Sequence, residues 1–343
     1  MPSKRTILLL VMLIGLAVQS LSADDAKPRG KRVLIKESAT LFVEDPDGSN
    51  RRAIAENVWA AALSRDGNLV SYADFKGVYV FSLLDGQSVT LARLTEGHVH
   101  SLAWSPDQRL VAYDVEVRMK SWNLFVSSYP PRGDGPRDLG HWYETLSFSP
   151  DGKFIVHPSF DPTDHDILQT INVETGKRET IYKAAATIWE AKYAPDGSSI
   201  AFTMTRAEPK STSDDDLDCT GPETDLWILP WGSKTPVKIM DGVFGFDWSP
   251  DGRFLAIDTG TEDCGYPPGD GAVFVSSLDG KVQFQLSNDA PSMGAKFSPD
   301  SKNVMFVDFN ASRIVIGDLA TRKLAPLTGP GSGGHGYVLC DWK

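Results

Sequence analysis

A short motif recurs six times in the chain, and this repetition constrains the fold more than any other feature of the sequence. Each copy has an apolar or aromatic residue followed by Ser-Pro-Asp-Gly or a close variant, and successive copies lie 41 to 55 residues apart. The first motif position of each copy is occupied by Ser64, Ser105, Ser149, Ala194, Ser249 and Ser298. A period of this length is typical of a protein built from repeated supersecondary units.

Each copy has the local chemistry of a tight turn between two strands. Proline presets φ at the second turn position, and Ser or Asp can bond nearby backbone N–H groups. Short apolar segments flank the turn, as at residues 101–104 and 110–113, and a third strand and a second turn follow. Helical periodicity is absent. Four short strands in each repeat predict the blade of a β-propeller.

The two ends of the chain carry complementary parts of one more unit. Residues 33–55 contain three strands without an inner strand, and residues 337–342 supply a single strand. The Cys-Asp-Trp sequence at 340–342 parallels Phe-Asp-Trp at 246–248. We therefore predict an all-β, seven-bladed propeller of four-stranded antiparallel blades, closed by pairing of the N- and C-terminal strands. Closure removes two exposed sheet edges. Six blades are the alternative if the ends do not pair.

The aromatic-Ser-Pro-Asp-Gly repeat resembles that of the TolB-like and WD-repeat-like β-propellers. The resemblance extends over residues 33–343. It implies the propeller fold but no particular activity, because one fold can carry many functions. Propellers of this kind also occur beside peptidase domains, but the sequence contains no Gly-x-Ser-x-Gly elbow.

The N-terminus has the pattern of an export signal. Lys4 and Arg5 precede an apolar run at residues 7–18, and small and polar residues follow as far as Ala23. The run is too short to span a bilayer comfortably. We expect a signal peptide at 1–23, a solvated lead-in at 24–32, and a secreted or periplasmic propeller at 33–343 that is not integrated in a membrane. An uncleaved membrane anchor is the alternative.

The charge balance narrows the class of partner. The chain has 34 Lys and Arg against 45 Asp and Glu, a net charge of −11. Nucleic-acid binding needs a cationic face, so we do not expect a nucleic-acid partner. A basic protein or peptide is compatible with this charge.

The turns and loops of such a propeller lie on two faces of a disc. First-to-second and third-to-fourth turns lie on one side, which we call the turn face. Second-to-third loops and connections between blades lie on the other side, the loop face. The long, irregular segments all belong to the loop face, and binding residues favour such loops on a rigid scaffold.

Two adjacent loops of the loop face are strongly acidic. The segments at 206–225 and 258–271 have net charges of −5 and −4. Their carboxylates include Asp214, Asp215, Asp216, Asp218, Glu262 and Asp263. Such a concentration predicts binding of Ca²⁺ or of a basic partner, with a solvated loop as the alternative. Cys219 and Cys264 lie in these same loops, and an oxidising compartment favours a disulfide between them.

The entry to the central channel carries the other candidate residues. The residue that starts each inner strand is expected at the channel mouth, as a ligand or partner site, and these positions hold Trp59, His100, Glu144, Trp189, Phe244 and Met293. Four histidines fall near one sector of this rim, namely His98, His100, His141 and His335. With Glu144 they suggest a divalent transition metal, and structural or solvated histidines are the alternative.

Taken together, these features predict an exported, non-catalytic propeller that binds a protein or peptide through its loop face. The prediction rests on a single repeat domain without a convincing nucleophile or acid–base pair. The alternative is a metal-dependent propeller enzyme, of the polysaccharide lyase or hydrolase type, with its site at the channel mouth.

Overall fold

The computed structural model describes residues 31–117, 121–141, 145–159, 167–184, 186–206, 224–259, 271–281, 283–287, 291–327 and 337–343. These residues form 28 strands in seven four-stranded antiparallel sheets, and they contain no helix. Inner strands of neighbouring sheets are in contact around a ring. The predicted seven-bladed β-propeller is therefore confirmed, and the six-bladed alternative is wrong.

The first three repeats along the chain are regular, and we number them as blades 1 to 3. Blade 1 consists of β4 (Ala60–Leu63), β5 (Leu69–Asp74), β6 (Gly77–Ser82) and β7 (Ser88–Arg93). Blade 2 consists of β8 (Leu102–Trp104), β9 (Leu110–Val117), β10 (Ser121–Ser128) and β11 (Arg137–His141). Blade 3 consists of β12 (Ser147–Phe148), β13 (Phe154–Ser159), β14 (Ile167–Asn172) and β15 (Arg178–Lys183).

Blades 4 to 6 repeat the same order. Blade 4 consists of β16 (Ile188–Tyr193), β17 (Ser199–Thr205), β18 (Thr224–Pro230) and β19 (Val237–Met240). Blade 5 consists of β20 (Val243–Trp248), β21 (Phe254–Thr259), β22 (Val273–Ser277) and β23 (Gln283–Gln285). Blade 6 consists of β24 (Ser292–Phe297), β25 (Asn303–Asp308), β26 (Arg313–Asp318) and β27 (Leu324–Pro326).

The two chain ends share the seventh sheet, the closing blade. Its strands are β28 (Tyr337–Trp342), β1 (Val33–Glu37), β2 (Thr40–Glu44) and β3 (Arg52–Ala55). β28 pairs antiparallel with β1, with Val33 opposite Trp342. The backbone contacts begin before β1, because the amide of Lys343 donates to the carbonyl of Arg32 over 3.0 Å. The predicted closure by terminal strand pairing is confirmed.

The hydrophobic core lies between the facing sheets of neighbouring blades. On the interface of blades 4 and 5, Leu226 and Ile228 pack with Leu255 and Ile257. β21 is buried at four consecutive positions, 255–258. Continuous burial of this kind arises because both faces of the sheet are covered, so the strand does not alternate between buried and exposed residues.

The repeated turns are stabilised by side-chain hydrogen bonds within each motif. Ser149 Oγ donates to Asp151 Oδ1 over 2.6 Å and accepts from the amide of Phe154 over 3.0 Å. The bond from Ser149 contributes most to lowering the pKa of Asp151. The same pair of serine bonds is made by Ser64, Ser105, Ser249 and Ser298. Each of the five motifs that begin with serine therefore closes its own turn and fixes the start of the second strand.

Neighbouring motif turns pack against each other on the turn face. A Cβ atom at Gly152 would lie 3.6 Å from Pro106 of the preceding blade, and one at Gly197 would lie 3.5 Å from Pro150. The loops between second and third strands consequently lie at the opposite edge of the disc. This arrangement positions the candidate residues discussed below.

Charged side chains on the inner strands join one blade to the next around part of the central channel. This channel belt comprises Lys192, Asp247 and Lys296, each two residues before the motif position of its blade, and Asp341 at the matching position of β28. Asp247 accepts from the amide of Phe297 over 3.1 Å, and Asp341 accepts from that of Leu63 over 3.0 Å. The belt alternates in sign, so Asp247 and Lys296 each lie between two opposite charges.

Two further carboxylates, those of Glu190 and Asp258, extend the channel belt. Glu190 forms an ion pair with Lys192 over 2.7 Å. Burial lowers the pKa of Lys296, but Asp247, Glu190, Asp341 and Asp258 together outweigh this effect and leave the pKa raised. Lys296 therefore remains charged at neutral pH.

Asp258 on β21 is the least solvated member of this group. Its carboxylate accepts from the amides of Gly294 over 2.9 Å and Ala295 over 3.2 Å. Burial raises its pKa to about 6, against the lowering effect of these amides and of Lys296. Its proton affinity is thus higher in the folded protein than in the unfolded chain.

The motif serine generates a matched pair of predictions, because blade 4 has Ala194 at the position that Ser249 occupies in blade 5. Ser249→Ala leaves the buried amide of Phe254 without its Oγ acceptor and should lower the free energy of unfolding by about 1 kcal/mol. Ala194→Ser supplies both missing bonds and should raise it by up to about 1 kcal/mol. Urea denaturation measures both. Equal stability of Ser249→Ala and wild type would contradict the role assigned to the motif.

Asp258 generates a pH prediction. Because its pKa is raised on folding, its contribution to stability is largest below pH 4 and is lost as the pH rises through 6. Asp258→Asn lacks this titration. The difference in unfolding free energy between wild type and Asp258→Asn should therefore change by roughly 2 kcal/mol between pH 4 and pH 7, in favour of the variant at pH 7. Parallel pH profiles from urea denaturation would contradict the burial effect.

Candidate functional site

The loop face of blade 2 carries a three-stranded extension of its sheet. β9 and β10 have eight residues each and are the longest of the described strands. Glu116 near the end of β9 is opposite Trp122 on β10. On its other side, Glu116 forms a backbone bridge with His98, with amide-to-carbonyl bonds in both directions. Directly opposed residues project to the same side of a sheet, so His98, Glu116 and Trp122 form one row.

Aromatic rings surround this row, and we call the five residues Trp59, His98, His100, Glu116 and Trp122 the ring patch. The rings of Trp59 and His98 are 4.5 Å apart between centroids, and those of His100 and Trp122 are 4.6 Å apart. Trp59 remains 47% exposed although it is a large aromatic residue. The ring patch is therefore an accessible surface formed by blades 1 and 2.

The opposite side of the same strands is buried and fixes the orientation of the ring patch. Val99 lies between the two histidines in sequence, and Val115 precedes Glu116. Both valines pack in the core between blades 1 and 2. Alternation along an extended backbone then directs the intervening polar and aromatic residues away from the core.

One ion-pairing geometry and one buried carboxylate define the electrostatics of the ring patch. His100 Nε2 lies 2.8 Å from Glu116 Oε2. Asp114 is fully buried and accepts from the amides of His100 over 3.1 Å and Ser101 over 2.7 Å. Burial raises the pKa of Asp114, whereas the Ser101 amide and the charge of His100 lower it. Asp114 thus fixes the position of the His100 backbone through this amide hydrogen bond.

The residues expected at the channel mouth lie at the starts of the inner strands. Trp59 directly precedes β4, and His100 lies two residues before β8. Trp189, Phe244 and Met293 are each the second residue of an inner strand. Phe244 is exposed like Trp59, whereas Trp189 and Met293 are partly buried. Glu144 lies outside the described residues.

The predicted histidine cluster is only partly assembled by the described residues. His98 and His100 belong to the ring patch, but His141 ends β11, the outer strand of blade 2. The carbonyl of His141 accepts from the guanidinium of Arg178 over 2.6 Å. His335 lies outside the described residues. Within the described ranges, no group of three His, Cys, Asp or Glu residues could hold a metal ion. The metal site stays a prediction.

A further histidine is buried in blade 3. His157 on β13 is almost inaccessible to solvent. Burial, and then the charges of Arg178 and His141, hold its pKa well below the usual value. This imidazole is therefore neutral at physiological pH.

The acidic loop positions Asp214, Asp215, Asp216, Asp218, Glu262 and Asp263 lie outside the described residues, as do Cys219 and Cys264. The ends of the first loop are described. Asp225 is buried and accepts from Arg206 Nε over 2.7 Å and Lys238 Nζ over 3.3 Å. Asp225 and Asp258, which contribute to the sequence charge of the two acidic segments, are thus strand residues rather than solvated loop residues. The acidic surface expected from the sequence therefore loses these two charges.

Sequence reasoning missed Glu116 and Trp122. The alternation in Asp114-Val115-Glu116-Val117 is a sequence signal for a strand that continues past the length of its counterparts. The pairing of His98 with that strand, however, has no sequence signature, because it depends on how far the connection from blade 1 follows the edge of β9.

None of the described residues forms a helix with the length and apolar character needed to cross a membrane.

No protein-family model matches the chain. A curated relative, dipeptidyl-peptidase 5 of Porphyromonas gingivalis, is 25% identical over 342 residues, which cover 94% of this chain and 47% of that protein. The chain therefore spans about half the length of the curated relative that it matches.

Similar solved structures include TolB from Acinetobacter baumannii, with a TM-score of 0.55, 14% identity, and coverage of 76% of this chain and 64% of that chain. Oligogalacturonate lyase from Vibrio parahaemolyticus has a TM-score of 0.58, 15% identity, and coverage of 88% and 87%. The tricorn protease has a TM-score of 0.64, 11% identity, and coverage of 87% and 33%. At these identities the likeness shows the fold alone: the chain is a β-propeller with TolB-like structural neighbours.

Proposed function

We propose that this protein is an exported, non-catalytic propeller that binds a protein or peptide partner through its loop face. The observation that carries the proposal is the ring patch, where Trp59 is 47% exposed beside His98 and a His100–Glu116 pair. Large aromatic residues that are exposed next to polar groups are typical of protein-binding surfaces. The exposed ring of Phe244 lies on the same face.

The fold of the structural neighbours is compatible with a binding function. A TolB-like propeller is among the structural neighbours, but so are a protease and a lyase. The relative named dipeptidyl-peptidase 5 is about twice as long as the part that this chain matches. We place the mature chain in the periplasm or outside the cell, from its N-terminal sequence pattern.

The proposal predicts that partner capture depends on the loop face. Trp59→Ala and Phe244→Ala should each reduce capture of a protein from the exported fraction at least about fivefold, because each removes an exposed aromatic contact. Trp231→Ala is the matched control, since this tryptophan is 53% exposed at a turn-face position. Affinity pull-down followed by mass spectrometry measures capture. Equal losses in all three variants, or substrate turnover by the purified protein without any captured partner, would overturn the proposal.

The second candidate is a metal-dependent enzyme, of the polysaccharide lyase or hydrolase type, with its site at the channel mouth. It is favoured by one observation, the 2.8 Å approach of His100 Nε2 to the Glu116 carboxylate. Imidazole and carboxylate are common ligands of divalent transition metals. Ca²⁺ binding by the acidic loops and the disulfide between Cys219 and Cys264 are separate predictions.

Elemental analysis of the native protein tests the second candidate. If the histidines bind a metal, the wild-type protein should contain a stoichiometric transition metal that His100→Ala loses. Trp59→Ala keeps all proposed ligands and should retain the metal. A metal-free native protein, or a metal content unchanged by His100→Ala, would exclude this site.

A further inference from the structure

We propose that the ring patch is a subsite for a lysine or arginine side chain of the partner. This inference rests on the proposed binding function and specifies its chemistry. The ring patch places one carboxylate between two pairs of aromatic rings, and this combination attracts an organic cation rather than an anion or an apolar side chain.

The carboxylate of Glu116 has no lysine or arginine partner among the described residues. Its side chain is only 12% exposed, and its hydrogen-bond partner is the ring of His100. The bond to the His100 ring orients the carboxylate. A partly desolvated carboxylate without a lysine or arginine partner is a strong attractor for a cation.

The aromatic rings supply the second part of the subsite. The ring planes of Trp59 and His98 are inclined at 44°, and those of His100 and Trp122 at 36°. An indole face attracts a guanidinium or ammonium group through its quadrupole. Trp122 is opposite Glu116 on one side, and His98, whose ring contacts Trp59, is bridged to Glu116 on the other side. A cation at the carboxylate therefore also lies near aromatic surface.

The charge of the whole chain favours the same occupant. The net charge of the chain is −11. A negative protein field increases the rate at which basic partners associate. Among the described residues, one opposing group is Lys36, whose Nζ donates to the backbone carbonyl of Trp59 over 3.4 Å. Lys36 should therefore weaken cation binding, and its removal should strengthen it.

The test uses two dye-labelled hexapeptides with blocked termini, one with two arginines and the other with citrulline at the same positions. Fluorescence anisotropy at pH 8 and low salt should show binding of the arginine peptide to the full chain, and at least about tenfold weaker binding of the citrulline peptide. A third peptide, with a free N-terminus and no basic side chain, tests whether a terminal amine is the ligand instead.

Matched variants locate the site. Glu116→Gln keeps the size of the side chain and its hydrogen-bonding capacity towards His100 but loses the charge. It should weaken binding of the arginine peptide about tenfold. Trp59→Ala should weaken binding of this peptide about fivefold, and Lys36→Gln should strengthen it. Trp231→Ala should leave the affinity unchanged. Thermal unfolding of each variant identifies any that are misfolded.

The cation subsite is overturned if the citrulline peptide binds as well as the arginine peptide, if Glu116→Gln keeps full affinity, or if the peptide with only a terminal amine binds best. Its failure is distinguishable from failure of the proposed function. A folded Glu116→Gln that still captures the partner, while Trp59→Ala does not, removes the cation subsite but leaves binding through the loop face intact.

Discussion

Pairing of β28 with β1 is the interaction on which the rest of the structure depends. Every blade buries both faces of its sheet against its neighbours, so an open ring would expose two apolar faces and two strand edges. The terminal strands supply the missing contact, since Val33, Leu34 and Ile35 become fully buried in the closing blade. Asp341 on β28 then joins the closing blade to blade 1 through the amide of Leu63. All inner strands, and the ring patch with them, are positioned by this closure.

Most of the fold was predictable from the sequence because the signal is local and repeated. The Ser-Pro-Asp-Gly turns have a chemistry that can be recognised within five residues, and their spacing gives the number of complete blades. The closing blade was predictable because Cys340-Asp341-Trp342 parallels an inner strand. The channel belt was not predictable from the sequence, because Asp247 and Phe297 are 50 residues apart and their hydrogen bond depends on how the blades pack.

The candidate site was predictable only in outline. Each inner strand starts a fixed number of residues before its turn motif, and this spacing placed Trp59 and His100 at the loop face. Their partners Glu116 and Trp122 come from an extension of β9 and β10 that only blade 2 has among the described hairpins. His141 was grouped with His98 and His100 because it was expected in a connection between blades near the channel rim. It instead ends β11, the outer strand of blade 2.

The bonds between neighbouring blades have a consequence for how such a protein diversifies. The motif turns and the inner-strand carboxylates that accept from the next blade are confined to the turn face and the channel wall. Insertions between second and third strands leave these bonds in place, so loop length can change in one blade without altering the geometry of another. Recognition specificity can therefore evolve blade by blade on a frame whose own sequence requirements stay constant.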